Sequence, residues 1–319
     1  MMASGINLDG FRLAITGVDG FVGRHLAKSA ADQGATIFGV GRSEHLDPAL
    51  HVRLREYITA DLRSVWPLTQ QVDAVVHLAG LSAVGPSFDQ PQRYIEENSA
   101  IVTMMCERLL EHDRPPRVIG VSTGAVYQNP AEGAPIDEAT LTHPGSPYAL
   151  SKLLVETQLS YYRSRGLDAI VARPFNHVGA GQRGGFLIPD LVRRLTELAP
   201  GQPLTVGELG NSRDYTHVAD VAEAYLQLAS APALRHEMYN VASGRSTEGR
   251  RVLEIICRLL GREVPELRVN PSLLRPNDPR VITGSAARLR QDTGWVATRS
   301  LEEAIADFIA ASADDDSTA

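Results

Sequence analysis

Phe11-Arg12-Leu13-Ala14-Ile15-Thr16 runs directly into Gly17-Val18-Asp19-Gly20-Phe21-Val22-Gly23, and the fold turns on this stretch. An apolar run of strand length leads into three glycines, each separated from the next by two residues. Phe21, Val22, Leu26, Ala27 and Ala30 then recur at helical spacing up to Gly34, and Ala35 to Val40 forms a second apolar run. Strand, glycine turn, helix and strand fit into about 30 residues, the size of a βαβ half-site for a dinucleotide. In such a unit the first glycine permits a tight turn, the second lets a pyrophosphate approach the backbone, and the third lets helix pack on strand. Free N–H groups and the helix dipole then favour the anion. Gly17, Gly20, Phe21, Val22 and Gly23 are therefore expected to hold a dinucleotide.

Composition bounds what surrounds this unit. The chain has 319 residues, enough to bury a large core in one domain or two unequal lobes. Its net charge of −7 offers no basic field for a phosphate backbone, so nucleic acid is not expected as a partner. The two cysteines, Cys106 and Cys257, lie in helical apolar patterns and read as buried reduced thiols of a cytoplasmic protein, with one disulfide as the alternative. The nine histidines show no metal-ligand spacing, so no metal is assigned. No apolar run of about 18 residues marks a membrane span, and Met1 to Gly10 does not read as a signal peptide.

Further strands follow at βαβ intervals: one before Asp61, then Val72–Leu78, Arg117–Ser122 and Asp168–Val171. Pro91–His112 and Pro147–Arg165 read as long helices between them. The expected fold is α/β, a Rossmann-like doubly wound parallel sheet. After Arg173-Pro174, glycine and proline become denser and strands shorten, which marks a smaller lobe of irregular connections. Val218–Leu228 reads as a helix returning to the first lobe. Residues 1–172, with a returning segment at about 217–237, are expected to bind the dinucleotide. Residues 173–216 and 238–311 form an interleaved substrate lobe whose last helix opens at Ser300 with Glu303 as a capping box. Residues 312–319 read as a frayed acidic tail.

Ser146-Pro147-Tyr148-Ala149-Leu150-Ser151-Lys152 places Tyr148 and Lys152 one helical turn apart on one face. A neighbouring ammonium stabilises a phenolate, so Lys152 is expected to lower the Tyr148 pKa and fit the phenol for proton transfer to or from a carbinol oxygen. Upstream, the fifth strand ends in Ser122-Thr123-Gly124-Ala125-Val126-Tyr127. A strand C-terminus there presents Thr123 to the same oxygen, where two hydroxyls stabilise a developing alkoxide while a bound nicotinamide carries the hydride.

The glycine spacing, with Thr16 before it and Phe21-Val22 inside it, resembles the extended short-chain dehydrogenase/reductases, the NAD-dependent epimerase/dehydratase family. Thr123, Tyr148 and Lys152 match that family's catalytic set. The resemblance implies coenzyme contacts from Asp61 and Leu62 at the adenine, from Leu78, Ala79 and Gly80 after the fourth strand, and from Val121, Tyr148, Lys152 and Arg173. After the second strand, Gly41-Arg42-Ser43 stands where an NAD enzyme carries an acid. Arg42 suits a 2′-phosphate, so NADP(H) is favoured and NAD(H) remains possible. Relatives dimerise through the two long helices as a four-helix bundle, which implies a homodimer.

Within the family, Arg173 to Gln182, Arg213 to Val221, Arg275-Pro276-Asn277-Asp278 and Thr293-Gly294-Trp295 resemble GDP-4-keto-6-deoxy-D-mannose reductases. That resemblance implies Asn176 beside the sugar or nicotinamide, Arg213 on the substrate diphosphate, and Arg275 and Asp278 on the nucleotide. Asp278 stands for a usual Glu, and Ala125 stands where relatives carry Glu. With Gly124-Ala125 in place of a carboxylate, elimination of water lacks its acid and base, which disfavours a dehydratase. The expected activity is NADPH-dependent reduction of a nucleotide-linked 4-keto-6-deoxyhexose, giving a GDP-deoxyhexose such as GDP-D-rhamnose. A nucleotide-sugar 4-epimerase with bound NAD is the nearest alternative, and a non-catalytic dinucleotide-binding regulator is an alternative of another class.

Overall fold

The computed structural model describes residues 6–128, 133–273 and 278–316. The chain opens with β1 (Arg12–Thr16), α1 (Phe21–Asp32), β2 (Thr36–Gly41), a short α2 (Pro48–His51) and β3 (Glu56–Thr59). β4 (Ala74–His77), α3 (Val84–Asp89), α4 (Pro91–Leu109), β5 (Arg117–Val121), α5 (Pro147–Ser164) and β6 (Ala169–Pro174) complete the first lobe's continuous part. The second lobe begins with β7 (Asn176–Val178), α6 (Leu187–Glu197), β8 (Leu204–Val206) and β9 (Ser212–His217). α7 (Val218–Ser230) and β10 (Met238–Val241) then return to the first lobe. β11 (Ser246–Glu248), α8 (Gly249–Leu259), β12 (Leu267–Val269), β13 (Val281–Ile282), α9 (Ala287–Thr293) and α10 (Leu301–Asp316) follow.

The main sheet is seven-stranded in the order β10-β6-β5-β4-β1-β2-β3, and every pairing in it is parallel. Period-two alternation assigns each strand residue to a face. Leu13 and Ile15 of β1 and Val76 of β4 pack under α1 and α7, whereas Ala14 and Val75 face α4 and α5. Both faces are covered, as a parallel sheet requires. Strand order reverses between β1 and β4, so a crevice opens outside their carboxyl ends. The second lobe has its own apolar core from α6, α8 and α10.

Two boundaries differ from the sequence expectation. Met238–Val241 was assigned to the substrate lobe, but β10 pairs with β6 as the edge strand of the main sheet. Tyr239 and Val241 are fully buried there, and Leu289 of α9 and Trp295 join the same core. The return therefore reaches Val241, and a second return brings α9 back. The tail assigned as frayed from residue 312 is helical through Asp316. Ser300 and Glu303 form the reciprocal capping box, with Ser300 N–H donating to Glu303 at 2.7 Å and Glu303 N–H donating to Ser300 at 3.1 Å. This nucleates a helix whose alanine-rich body has high intrinsic propensity. Cys106 and Cys257 are both free and buried. No helix among the described residues is long and apolar enough to cross a membrane.

Candidate active site

The glycine turn is built as a cradle. Gly17 adopts a left-handed φ of 68°, and a Cβ there would come within 2.9 Å of the Ala79 backbone nitrogen. A Cβ on Gly23 would stand 2.2 Å from the Gly17 carbonyl oxygen, so only glycine lets α1 begin this close to β1. Gly20 caps α1 without a side-chain hydrogen bond, and the first turn carries no acid. Its orphan N–H groups are thus available to an anion. Thr16 ties the two strands at the crevice: its hydroxyl pairs with His77 Nδ1 at 2.8 Å and accepts from the Leu78 and Ala79 N–H groups, both at 3.2 Å. Burial holds the His77 imidazole down at about 3, so it is neutral. After β4, Gly80 has φ 141°, and a Cβ there would meet Asn98 Oδ1 at 2.7 Å. Asn98 accepts from the Leu81 N–H at 2.8 Å and donates to Ser151 at 3.0 Å, joining this loop to α5. This cradle, small-residue loop and uncapped helix fit the phosphates of a dinucleotide.

The hydroxyl pair assembles at the end of β5. Ser146 caps α5 by accepting from the Ala149 N–H at 3.1 Å, and Tyr148 enters in the first turn. Its phenol lies close enough to Thr123 for that side chain to act on its titration. Thr123 in turn accepts from the Ala125 N–H at 3.2 Å, which fixes its rotamer. Burial pushes the Tyr148 phenol up to about 12, with Thr123 acting against the rise. The expectation that Lys152 lowers this phenol is not met in the free chain. Lys152 is itself buried, its Nζ donates to the Val121 carbonyl at 2.9 Å, and desolvation brings it down to about 8. The phenol therefore holds its proton at neutral pH.

Beneath Lys152 lies a buried ionic group. Arg173, expected above at the coenzyme, forms a two-pronged pair with Glu156, Nε to Oε1 at 2.8 Å and Nη2 to Oε2 at 2.5 Å. Ser122 donates to the same carboxylate at 2.5 Å. The guanidinium also stacks 4.6 Å over the Tyr127 ring, and Tyr127 donates to Asn240 of β10 at 2.6 Å. Glu156 follows Lys152 by four residues on α5, so Tyr148, Lys152 and Glu156 share one helix face. That i, i+4, i+8 spacing was the signal in the sequence for a residue not singled out there.

The remaining expected residues scatter by role. Val121 ends β5, Leu78 and Ala79 line the turn after β4, and Leu62 is buried under the first lobe. Asp61 is chelated by Arg63 at 2.6 Å, which holds its carboxyl down at about 2. Arg42 is exposed just past β2. Asn176 is exposed at the start of β7. Arg213 pairs with Asp278 at 2.7 Å. Asp214 is fully buried and accepts from the Ser243, Gly244 and Gly284 N–H groups at 3.0–3.1 Å. Arg275 lies outside the described residues.

Residues 13–242 match the model of the NAD dependent epimerase/dehydratase family. A GDP-6-deoxy-D-mannose reductase from Pseudomonas aeruginosa is 35% identical over 89% of this chain and 91% of its own. A UDP-glucose 4-epimerase from Streptomyces lividans is 32% identical over 75% of each. Among solved structures, RMD from Pseudomonas aeruginosa complexed with NADPH superposes with a TM-score of 0.81 at 30% identity, covering 94% of this chain and 98% of that one. With its glycine cradle, its β5 hydroxyl and its Tyr-x-x-x-Lys helix in family order, the chain belongs to the NAD-dependent epimerase/dehydratase family, a nucleotide-sugar-modifying branch of the extended short-chain dehydrogenase/reductases.

Proposed function

We propose that this chain reduces the C4 ketone of a GDP-linked 4-keto-6-deoxyhexose with NADPH, giving a GDP-deoxyhexose such as GDP-D-rhamnose. The feature that supports the reading is the pairing of Thr123, just past β5, with the buried and protonated Tyr148 phenol of α5. When bound, the reduced coenzyme supplies the hydride. The cradle holds the pyrophosphate through Gly17, Gly20 and the N–H groups that open α1. Thr123 orients the ketone oxygen, and Tyr148 donates its proton to that oxygen as charge develops on it. Lys152, anchored on the Val121 carbonyl one turn along α5, is assigned to hold Tyr148 and the coenzyme ribose. Gly124 and Ala125 bring no carboxylate to the site, which separates this chemistry from dehydration.

Arg213 and Asp278, already paired, are assigned to the substrate's diphosphate and ribose, with Asn176 and Arg275 beside them. The exposed Leu150 and Tyr161 of α5 support a homodimer through α4 and α5, and the two free thiols support a cytoplasmic site. Similarity to the Streptomyces epimerase supports one rival, a 4-epimerase that retains NAD. Incubation of GDP-4-keto-6-deoxymannose with NADPH separates the two. Stoichiometric loss of reduced-nicotinamide absorbance supports the reductase. Unchanged absorbance, with NAD retained through purification and sugars interconverted, overturns it in favour of the epimerase.

A further inference from the structure

The residue that meets the adenosine ribose is expected at the end of β2, yet β2 ends in Gly41 followed by the exposed Arg42. The structure fills that place from the glycine turn. Asp19, between the first and second cradle glycines, reaches across so that its Oδ2 accepts from the Arg42 N–H at 3.2 Å and the Ser43 N–H at 3.0 Å. A Cβ on Gly41 would fall 2.6 Å from the Asp19 carboxyl carbon and from Oδ1, so β2 ends in glycine to admit this carboxylate. The loop behind it is pinned, since Tyr57 donates to the Ser43 carbonyl at 2.8 Å. Arg24 sits on the Asp19 backbone carbonyl at 3.1 Å and pairs with Asp47, and among the described residues no side-chain cation pairs with the Asp19 carboxylate.

We propose that Asp19 is the coenzyme-selecting acid of this chain and opposes Arg42 at the adenosine ribose. A 2′-phosphate placed after β2 would seek the Arg42 and Ser43 N–H groups and the Arg42 guanidinium. Asp19 already occupies both N–H groups and sets a like charge beside the phosphate. A free 2′-hydroxyl meets the opposite situation, because it can donate to the carboxylate as it does to the acid of NAD enzymes. Arg42 favours NADPH and Asp19 favours NADH, so the wild-type chain separates the two coenzymes weakly, within about tenfold.

The inference rests on the dinucleotide reading of the cradle and is tested without any sugar, which keeps it independent of the substrate assignment. Dissociation constants for NADPH and NADH are measured by fluorescence titration on the wild type, Asp19→Asn and Arg42→Ala. Asp19→Asn is expected to tighten NADPH by about tenfold or more and to weaken NADH several-fold, while Arg42→Ala moves the ratio the other way. ADP and 2′,5′-ADP repeat the comparison on the adenosine half alone. Equal changes for both coenzymes in Asp19→Asn would reduce Asp19 to a structural role and overturn the inference, as would no change in either. If the wild type binds neither coenzyme, the cradle reading itself falls.

Discussion

Replacing Glu156 with alanine probes the ionic group under the catalytic helix. The Arg173 and Glu156 side chains are only 4% and 5% exposed, so the substitution strands a guanidinium in the interior. Removing one partner of a buried pair costs about 3–5 kcal/mol. The Ser122 hydroxyl loses its acceptor as well, adding about 1 kcal/mol. By contrast, the Arg193–Glu197 pair is 58% and 63% exposed, and Glu197→Ala should cost under about 1 kcal/mol. Trp66 and Trp295 are both buried in first-lobe cores, so their fluorescence follows the lobe that contains Glu156. In urea, Glu156→Ala should lower the unfolding midpoint of that lobe sharply at unchanged slope, while Glu197→Ala barely moves it. Glu156→Leu with Arg173→Met should recover most of the loss, because the cost lies in the uncompensated charge. A Glu156→Ala midpoint equal to that of Glu197→Ala would mean that the buried Arg173–Glu156 pair does not hold this lobe together.

Gly23→Ala places a methyl group 2.2 Å from the Gly17 carbonyl; coenzyme affinity by titration should fall at least about tenfold, with α1 shifted from β1. Acid stability should report His77. Its folded pKa lies near 3, below the ordinary imidazole value of 6.5, so the unfolded chain binds the extra proton between those limits. The contribution is complete above pH 6.5 and is lost as pH falls toward 3, by up to about 1.4 kcal/mol per pH unit. Burial lowers His25 and His177 too, so His77→Asn should reduce the slope of stability between pH 6 and 5 by about one proton without abolishing it. Lys152, near 8 in the free chain, should make kcat/KM for the coenzyme decline as pH rises through that value, since the protonated form carries the helpful charge.

What was legible in the sequence follows from the range of the interactions involved. The cradle, α1 and the parallel strands β1 to β6 announce themselves through local periodicity and glycine spacing, and the Thr123, Tyr148 and Lys152 order carries the chemistry. β10 was missed because four residues at a sheet edge, Met238–Val241, give too short a pattern to distinguish from a loop; only pairing with β6 defines them. The Arg173–Glu156 pair is hidden for a similar reason. An arginine at a strand end reads as a free ligand until the helix that buries Glu156 is folded against it. Asp19 sits at a position of the glycine turn that the fold leaves open, and its reach to Arg42 and Ser43 depends on the absence of a side chain at Gly41. Arg213 and Asp278 were each assigned to substrate, but the 64 residues of intervening chain conceal that they face one another.

In the proposed reaction the Tyr148 phenol protonates the C4 oxygen of a sugar bound beside the coenzyme. Single-turnover reduction of the GDP-keto sugar by Tyr148→Phe, with NADPH affinity measured in parallel, tests it most directly. The expected rate is lower by about a hundredfold or more, with the NADPH dissociation constant within about twofold of wild type. A variant that turns over at the wild-type rate would contradict it.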